Sequence, residues 1–285
     1  MKTHLIVQGK DIPTRDLKDL AKLAGADAIE AISATAFRLA AANAGARAEV
    51  ATFCESKALD HGWVPADRRI GDFGLLVMDM DSTLITIECI DEIADMQGLK
   101  PQVSAITEAA MRGEIDFAES LRRRVGLLRG LPDSALARVH DERLQLTAGA
   151  EILLAALRRA GIKTLLVSGG FTYFTERLKA RLGLDAAAAN TLEIVDGRLT
   201  GRVLGDILDA TGKAARLEQT RTALGLSAAR VVAIGDGAND LRMMAAAGVS
   251  IAFHAKPVVR AQASHALNFC GLDGVLPLLG EPASR

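Results

Sequence analysis

Aromatic residues are scarce, at 4% of the 285 residues, with one Trp and one Tyr. Ala, Leu and Gly dominate instead, so the core must be aliphatic and helix-rich, which fits α/β architecture better than an all-β sandwich. The three cysteines, Cys54, Cys89 and Cys270, lie far apart. They form neither a disulfide framework nor a CxxC metal pattern, and read as buried or idle thiols of a reducing compartment. Charge of one sign is also missing: Lys+Arg 34 against Asp+Glu 35 leaves a net −1. That balance lacks the electrostatic footprint of a nucleic-acid binder, the short Arg122-Arg123-Arg124 run excepted. No apolar stretch approaches a membrane span, and the N-terminus Met1-Lys2-Thr3-His4 carries no signal-type apolar region. The expected location is cytoplasmic, with neither membrane nor nucleic acid as partner.

What is present is an alternation of buried strands and amphipathic helices. Leu75-Leu76-Val77-Met78 is a continuous apolar run, the signature of a strand covered on both faces of a parallel sheet. Similar runs recur at Thr164–Val167, Val231–Ile234 and Val249–Phe253, with helical segments between them, the clearest from Ala150 to Ala160. The pattern predicts a Rossmann-like, doubly wound parallel sheet. From about residue 86 to 148 no strand signal appears, only helical periods, so a helical cap is inserted between the first two core strands. Asp196-Gly197, flanked by Leu192–Val195 and Arg198–Thr200, predicts a hairpin. Residues 1–71 read as a small N-terminal α/β module, possessing a strand at Leu5–Val7 and a helix from about Arg15 to Ala24. Residues 72–285 form the main domain around the inserted cap.

The chemistry lies at strand ends. The first core strand ends at Asp79 and Asp81, the second at Ser168-Gly169-Gly170, and a later one at Asp236, Asn239 and Asp240. In open α/β sheets ligands bind beyond the carboxyl ends of the strands, so these groups converge on one edge. If residues 79–81 stay extended, the two carboxylates point the same way. With Asp236 they make a hard-oxygen site suited to Mg²⁺. Ser168 and the following backbone N–H groups, expected at a helix N-terminus, favour an anion, and Lys213 adds a compact positive charge. Metal, anion cradle and free carboxylate together point to phosphoryl transfer. Each element alone would be an ordinary turn or a solvated charge. Thr211-Gly212-Lys213 resembles a Walker A ending, but lacks the upstream glycine.

These residues resemble the four motifs of the haloacid dehalogenase superfamily in order: Asp79-x-Asp81-x-Thr83, Ser168, Lys213 and Gly235-Asp236-Gly237-x-Asn239-Asp240. The cap narrows the resemblance to the phosphoserine phosphatase family. Its carriers are the segment from Glu88, the stretch Phe117 to Val125, Ser168-Gly169-Gly170-Phe171 and Ala255-Lys256-Pro257. The likeness spans about residues 74–275, and residues 1–70 resemble the variable regulatory-type modules of some members. It implies hydrolysis of O-phospho-L-serine to serine and phosphate, the last step of serine biosynthesis, through an aspartyl-phosphate. Asp79 is the implied nucleophile and Asp81 the acid/base. Ser168, Gly169 and Lys213 are implied to bind phosphate. Asp79, Asp81 (through its carbonyl) and Asp236 are implied to hold Mg²⁺. Thr83 would shape the loop, with Asn239 and Asp240 orienting Lys213 and the metal shell.

The same resemblance assigns substrate binding to Glu88, for the ammonium, and Arg124, for the carboxylate. Met111, Phe117 and Asn239 complete that set. Without it, Glu88 is a helix-start acid and the Arg run a solvated face. Arg122 and Arg123 remain surface residues on either reading, and His254 reads as structural. A homodimer is allowed for. Three rival readings stay open. The first is a phosphotransferase to a small alcohol such as homoserine, the second an amino-acid sensing module, and the third a mutase or sugar-phosphate phosphatase.

Overall fold

The computed structural model describes residues 2–280, so residue 1 and residues 281–285 of the expected spans lie outside the described residues. The module runs β1 (Thr3–Gln8), α1 (Thr14–Leu23), β2 (Ala28–Ala31), β3 (Ala36–Ala40), α2 (Arg47–Ser56) and β4 (Asp60–Pro65). Its antiparallel sheet has the order β2-β3-β1-β4, the split βαβ arrangement of ferredoxin-like folds. The unbroken apolar run in β1 has a physical cause. Leu5 and Val7 face the module's own helices, whereas Ile6, with Val64 of β4, joins the core of the main domain. Alternate residues of a strand point to opposite faces, so a strand buried on both sides must be apolar throughout. The Ala-rich stretch after α1 holds two strands that its composition hides, because alanine favours helix in isolation.

The main domain is a seven-stranded sheet of order β11-β10-β9-β5-β6-β7-β8. Its strands are β5 (Leu75–Met78), β6 (Lys163–Phe171), β7 (Ala186–Val195), β8 (Arg198–Leu204), β9 (Val231–Gly235), β10 (Val249–Phe253) and β11 (His265–Leu267). Pairing is parallel from β11 to β7, and only the β7–β8 hairpin is antiparallel. At its turn Asp196 and Gly197 both have positive φ, 47° and 70°, as a two-residue hairpin turn requires. β5 lies between β9 and β6 with all four residues buried. The chain leaves it in both directions across the sheet, so the crevice of the doubly wound fold opens above its carboxyl end.

The cap comprises α3 (Cys89–Met96), α4 (Lys100–Met111), α5 (Phe117–Leu127) and α6 (Ser134–Glu142). The two connecting segments pair with each other, through Thr86 N–H to Gln145 O (3.0 Å) and Thr147 N–H to Leu84 O (3.0 Å). A second seam joins the cap to the hairpin: Gly130 N–H donates to Leu199 O (2.8 Å) and Asp133 N–H to Gly197 O (2.9 Å). The cap is thereby held over the carboxyl edge of the sheet. Behind it, α7 (Ala150–Arg159), α8 (Thr172–Leu182), α9 (Ala210–Ala223), α10 (Leu241–Ala245) and α11 (Pro257–Arg260) complete the layers.

One side chain fastens module to main domain. Asp60 is 1% exposed, and its carboxylate accepts from the backbone N–H groups of Asn268 (2.6 Å), Phe269 (2.9 Å) and Cys270 (2.8 Å). Gln8 adds an Nε2–H bond to Gly274 O (2.9 Å). Asp60→Ala leaves three backbone donors unpaired at this seam. Chemical denaturation of the variant is expected to show a loss of about 2–4 kcal/mol, since each orphaned buried donor costs roughly 1–3 kcal/mol and the three are not additive.

Candidate active site

The strand β5 stops at Met78, and the next residues turn. Asp79 and Asp81 keep extended backbone (ψ 161° and 136°), while Ser82 takes a left-handed φ of 55°, uncommon for a residue with a Cβ. Met80, between the two aspartates, takes helical backbone, so residues 79–81 are not one extended strand and the alternation expected of an extended Asp-x-Asp does not apply. Asp79, 5% exposed, accepts from Met80 N–H (2.7 Å) through Oδ1 and pairs with Lys213 Nζ (2.7 Å) through Oδ2. Asp81, half-buried, accepts from Cys89 N–H (2.9 Å) and from the Ser168 hydroxyl (3.1 Å).

Lys213, on α9, is 1% exposed and lies between Asp79 and Asp240, with Nζ 2.8 Å from Asp240 Oδ1. Burial alone would lower its pKa, but the two carboxylates reverse that and raise it, so the ammonium is permanently charged. Asp240, fully buried, uses its other oxygen to accept from Gly237 N–H (3.1 Å). Asp236, half-buried at the end of β9, accepts from the Thr83 hydroxyl (3.3 Å).

Carboxylate oxygens of Asp79, Asp236 and Asp240 lie within 4.8 Å of one another. Burial, and then the neighbouring Asp240 charge, push Asp79 well above the ordinary carboxylate range and Asp236 up to about 6. One ammonium against three carboxylates leaves two negative charges uncompensated, which a divalent cation would balance. The residues therefore fit a hard divalent metal at this cluster. The Asp81 side chain is turned away from the cluster, toward Ser168 and Cys89. Burial raises its pKa too, although the bonds from Cys89 N–H and Ser168 favour its charged form.

The Ser168-Gly169-Gly170 segment is not a helix N-terminus, as its glycines suggested. It prolongs β6 through an irregularity in register, and α8 begins only at Thr172. Asn190, buried in β7, forces this path: its Nδ2–H donates to Gly169 O (2.8 Å) and its Oδ1 accepts from Leu208 N–H (2.7 Å). Sequence reasoning missed Asn190, and the available signal was an amide directly after four alanines in β7. Ser168, fully buried, accepts from Gly170 N–H (2.8 Å) while donating to Asp81.

The cap supplies the other wall. A Cβ on Gly169 would lie 2.9 Å from Phe117 Cζ, so the glycine lets the cap's first α5 residue touch the end of β6. Glu88, just before α3, accepts from the Ser82 hydroxyl (2.7 Å). Although part of its surface is open, burial first and Asp81 next raise its pKa to about 7. Arg124, on α5, faces the charges of Asp91, Glu88 and Asp81, and its buried Nε–H has no hydrogen-bond partner. Burial lowers its pKa, yet guanidinium stays charged.

Asn239 is half-buried beside Gly237 in the loop after β9. Met111, at the end of α4, is 69% exposed and is not among the side chains gathered at the carboxylates. Arg122 and Arg123 pair with Glu119 on the outer face of α5. His254 stacks on Phe253 and its Nε2 lies 2.9 Å from Cys270 O. Removing the central cation tests the electrostatics. Lys213→Met is expected to lower stability at neutral pH by about 3 kcal/mol or more, as for other broken buried pairs. The loss shrinks as pH falls, because folded carboxyls with raised pKa take up protons before the unfolded chain does. Urea titrations at neutral and acid pH measure both.

Known proteins share this architecture. Residues 76–245 match the family model of haloacid dehalogenase-like hydrolases, and residues 5–50 match a domain of unknown function, DUF4072. A phosphoserine phosphatase of Polaromonas sp. is 53% identical over 218 residues, covering 75% of this chain and 92% of the relative. The crystal structure of a probable phosphoserine phosphatase from Vibrio cholerae, in unliganded form, superposes with a TM-score of 0.85 at 41% identity. It covers 97% of this chain and 86% of the other, so the module is included. A phospho-aspartyl intermediate analogue of phosphoserine phosphatase gives 0.68 at 40% identity, over 72% of this chain and 98% of the other. The chain belongs to the haloacid dehalogenase-like hydrolases and, among them, to the phosphoserine phosphatases.

Proposed function

We propose that this protein hydrolyses O-phospho-L-serine to serine and phosphate, with Asp79 as nucleophile and Asp81 as acid and base. The observation that carries the reading is the division of labour between the two carboxylates. Asp79 is held against Lys213, and Asp81 is held separately by Ser168 and Cys89 N–H. An oxygen of Asp79 attacks phosphorus in line and the P–O bond to serine breaks, leaving an aspartyl-phosphate. Asp81, whose burial favours the protonated form, gives its proton to the departing serine oxygen. As a carboxylate it then takes a proton from the water that attacks phosphorus and frees Asp79. One group serves both steps because the first needs a proton and the second needs one removed.

Lys213, Ser168 and the Gly169 backbone bind the phosphoryl oxygens. Asp79 and Asp236, with the Asp81 carbonyl, hold Mg²⁺, and Asp240 fixes Lys213 beside them. The ion supplies neutralisation of phosphoryl negative charge. Glu88 receives the substrate ammonium and Arg124 the carboxylate. The unpartnered Arg124 Nε–H supports this, since buried donors are normally paired and a substrate carboxylate would complete it. Phe117 closes the pocket over Gly169, Asn239 borders it, and Met111 reaches it only with movement of the cap. The paired charges favour phosphoserine over sugar phosphates, which carry no ammonium or carboxylate.

Phosphate release from L-phosphoserine, phosphothreonine and a sugar phosphate, with and without EDTA, tests the reading. The expected outcome is metal-dependent turnover with preference for phosphoserine and no measurable turnover in Asp79→Asn. Full activity in that variant would sink the mechanism, and a requirement for an added alcohol acceptor would make the protein a phosphotransferase. The pH profile tests the cap. Glu88 with a pKa of about 7 is neutral below that pH and charged above it, so kcat/KM for phosphoserine rises with pH across this range. In Glu88→Gln this rise is expected to disappear together with most of the discrimination against substrates lacking an ammonium.

A further inference from the structure

Away from the catalytic carboxylates, a cleft of about 470 Å³ opens where β4 of the module meets β11 and α11 of the main domain. That volume is typical of small-molecule sites, which favour domain interfaces and pair apolar walls with a few convergent polar groups. Trp63 and Phe269 supply the apolar walls, and Phe269 is 50% exposed, high for a large aromatic side chain. Arg47 and Arg260 supply the charge. Arg47 lies over the Trp63 ring at 5.2 Å, and Arg260 reaches only Asn268 Oδ1 at 3.4 Å. Neither has a carboxylate partner among the described residues.

Two acids border the cleft. Both oxygens of Asp60 are consumed by the backbone N–H groups of 268–270. Glu55 is the other acid, and it is exposed. His61 and His265 are neutral at neutral pH: burial lowers both, and for His265 burial together with Arg68 pushes the value down to about 3. Arg47 and Arg260 thus balance Glu55 and Asp60 in number, but Asp60 is bound to the backbone, which leaves two guanidinium groups without a carboxylate partner beside Trp63 and Phe269. A further sign is Trp63 itself, 8% exposed, whose indole N–H has no partner. Buried indole donors usually find one.

We infer that this cleft is a second binding site, for a small aromatic carboxylate. Its carboxylate is received by the Arg47 and Arg260 forks and its ring lies against Trp63 and Phe269. A guanidinium fork matches a carboxylate bidentately, and a flat ring uses the aromatic walls that an inorganic anion would leave unsatisfied.

Trp63 is the sole tryptophan of the chain, so its emission reports on this cleft directly. The full-length protein is titrated with benzoate, with benzamide as neutral isostere and with inorganic phosphate as a ringless anion. A saturable change with benzoate is expected, and each of Arg47→Ala and Arg260→Ala should weaken it by about tenfold, the loss of one charge-assisted contact. Glu55→Gln, at an exposed position, should tighten it. Unchanged phosphatase activity in these variants shows that they fold. No saturable response to benzoate overturns the inference, as does an equal affinity for benzamide or phosphate, or wild-type affinity in both arginine variants. A variant that fails to fold leaves Glu55→Gln and the ligand comparison to decide, and loss of affinity in Glu55→Gln also counts against the site.

Discussion

Lys213 is the point from which the active site is organised. A buried ammonium is costly to desolvate, and here it is retained because Asp79 and Asp240 accept from it at 2.7 and 2.8 Å. These contacts draw together the end of β5, the helix α9 and the loop after β9, three segments remote in sequence. The triad also leaves the site with more negative than positive charge. Burial first, and then that excess, raise Asp79 and Asp236, and the cluster suits a divalent cation. A site built this way is poised to stabilise developing charge without reorganising, which is where electrostatic catalysis gains most.

Around that triad the sheet and the cap divide the work. The sheet positions the carboxylates and the hydroxyl: Asp79 and Asp81 flank the helical Met80 at the end of β5, and Ser168 is placed by an irregular extension of β6 that Asn190 secures. The cap brings Glu88 and Arg124 over them and closes Phe117 onto Gly169. Glu88 is tied back to the loop of Asp79 and Asp81 by the Ser82 hydroxyl, so cap and sheet meet at a single turn. The module stands on the other side of the sheet's β11 edge, fastened by Asp60 and by Ile6 and Val64 entering the main core. Its surface is thereby continuous with that of the phosphatase domain, and the cleft between them belongs to both.

The sequence by itself determined much of this. Unbroken apolar runs marked β5, β9 and β10, and polar groups at strand ends marked Asp79, Asp81, Ser168 and Asp236. This works because a strand buried on both faces has no alternative to apolar side chains, and because ligands gather where such strands end. Asp196-Gly197 was equally legible, since few residue pairs tolerate two positive φ angles.

Tertiary structure decided what local pattern leaves free. Alanine-rich β2 and β3 are strands only because β1 gives them partners, against their intrinsic preference. Asp79 and Asp81 find different partners because Met80 between them leaves the extended conformation, which an alternation rule assuming a continuous strand cannot foresee. Ser168-Gly169-Gly170 continues a strand because Asn190, on a neighbouring strand, takes the Gly169 carbonyl. Asp240 joins the carboxylate cluster, and Asp60 becomes a clasp, through contacts with residues remote in the chain. Residue type set which chemistry was available, but the charge balance at each site is a sum over neighbours that only the folded chain assembles.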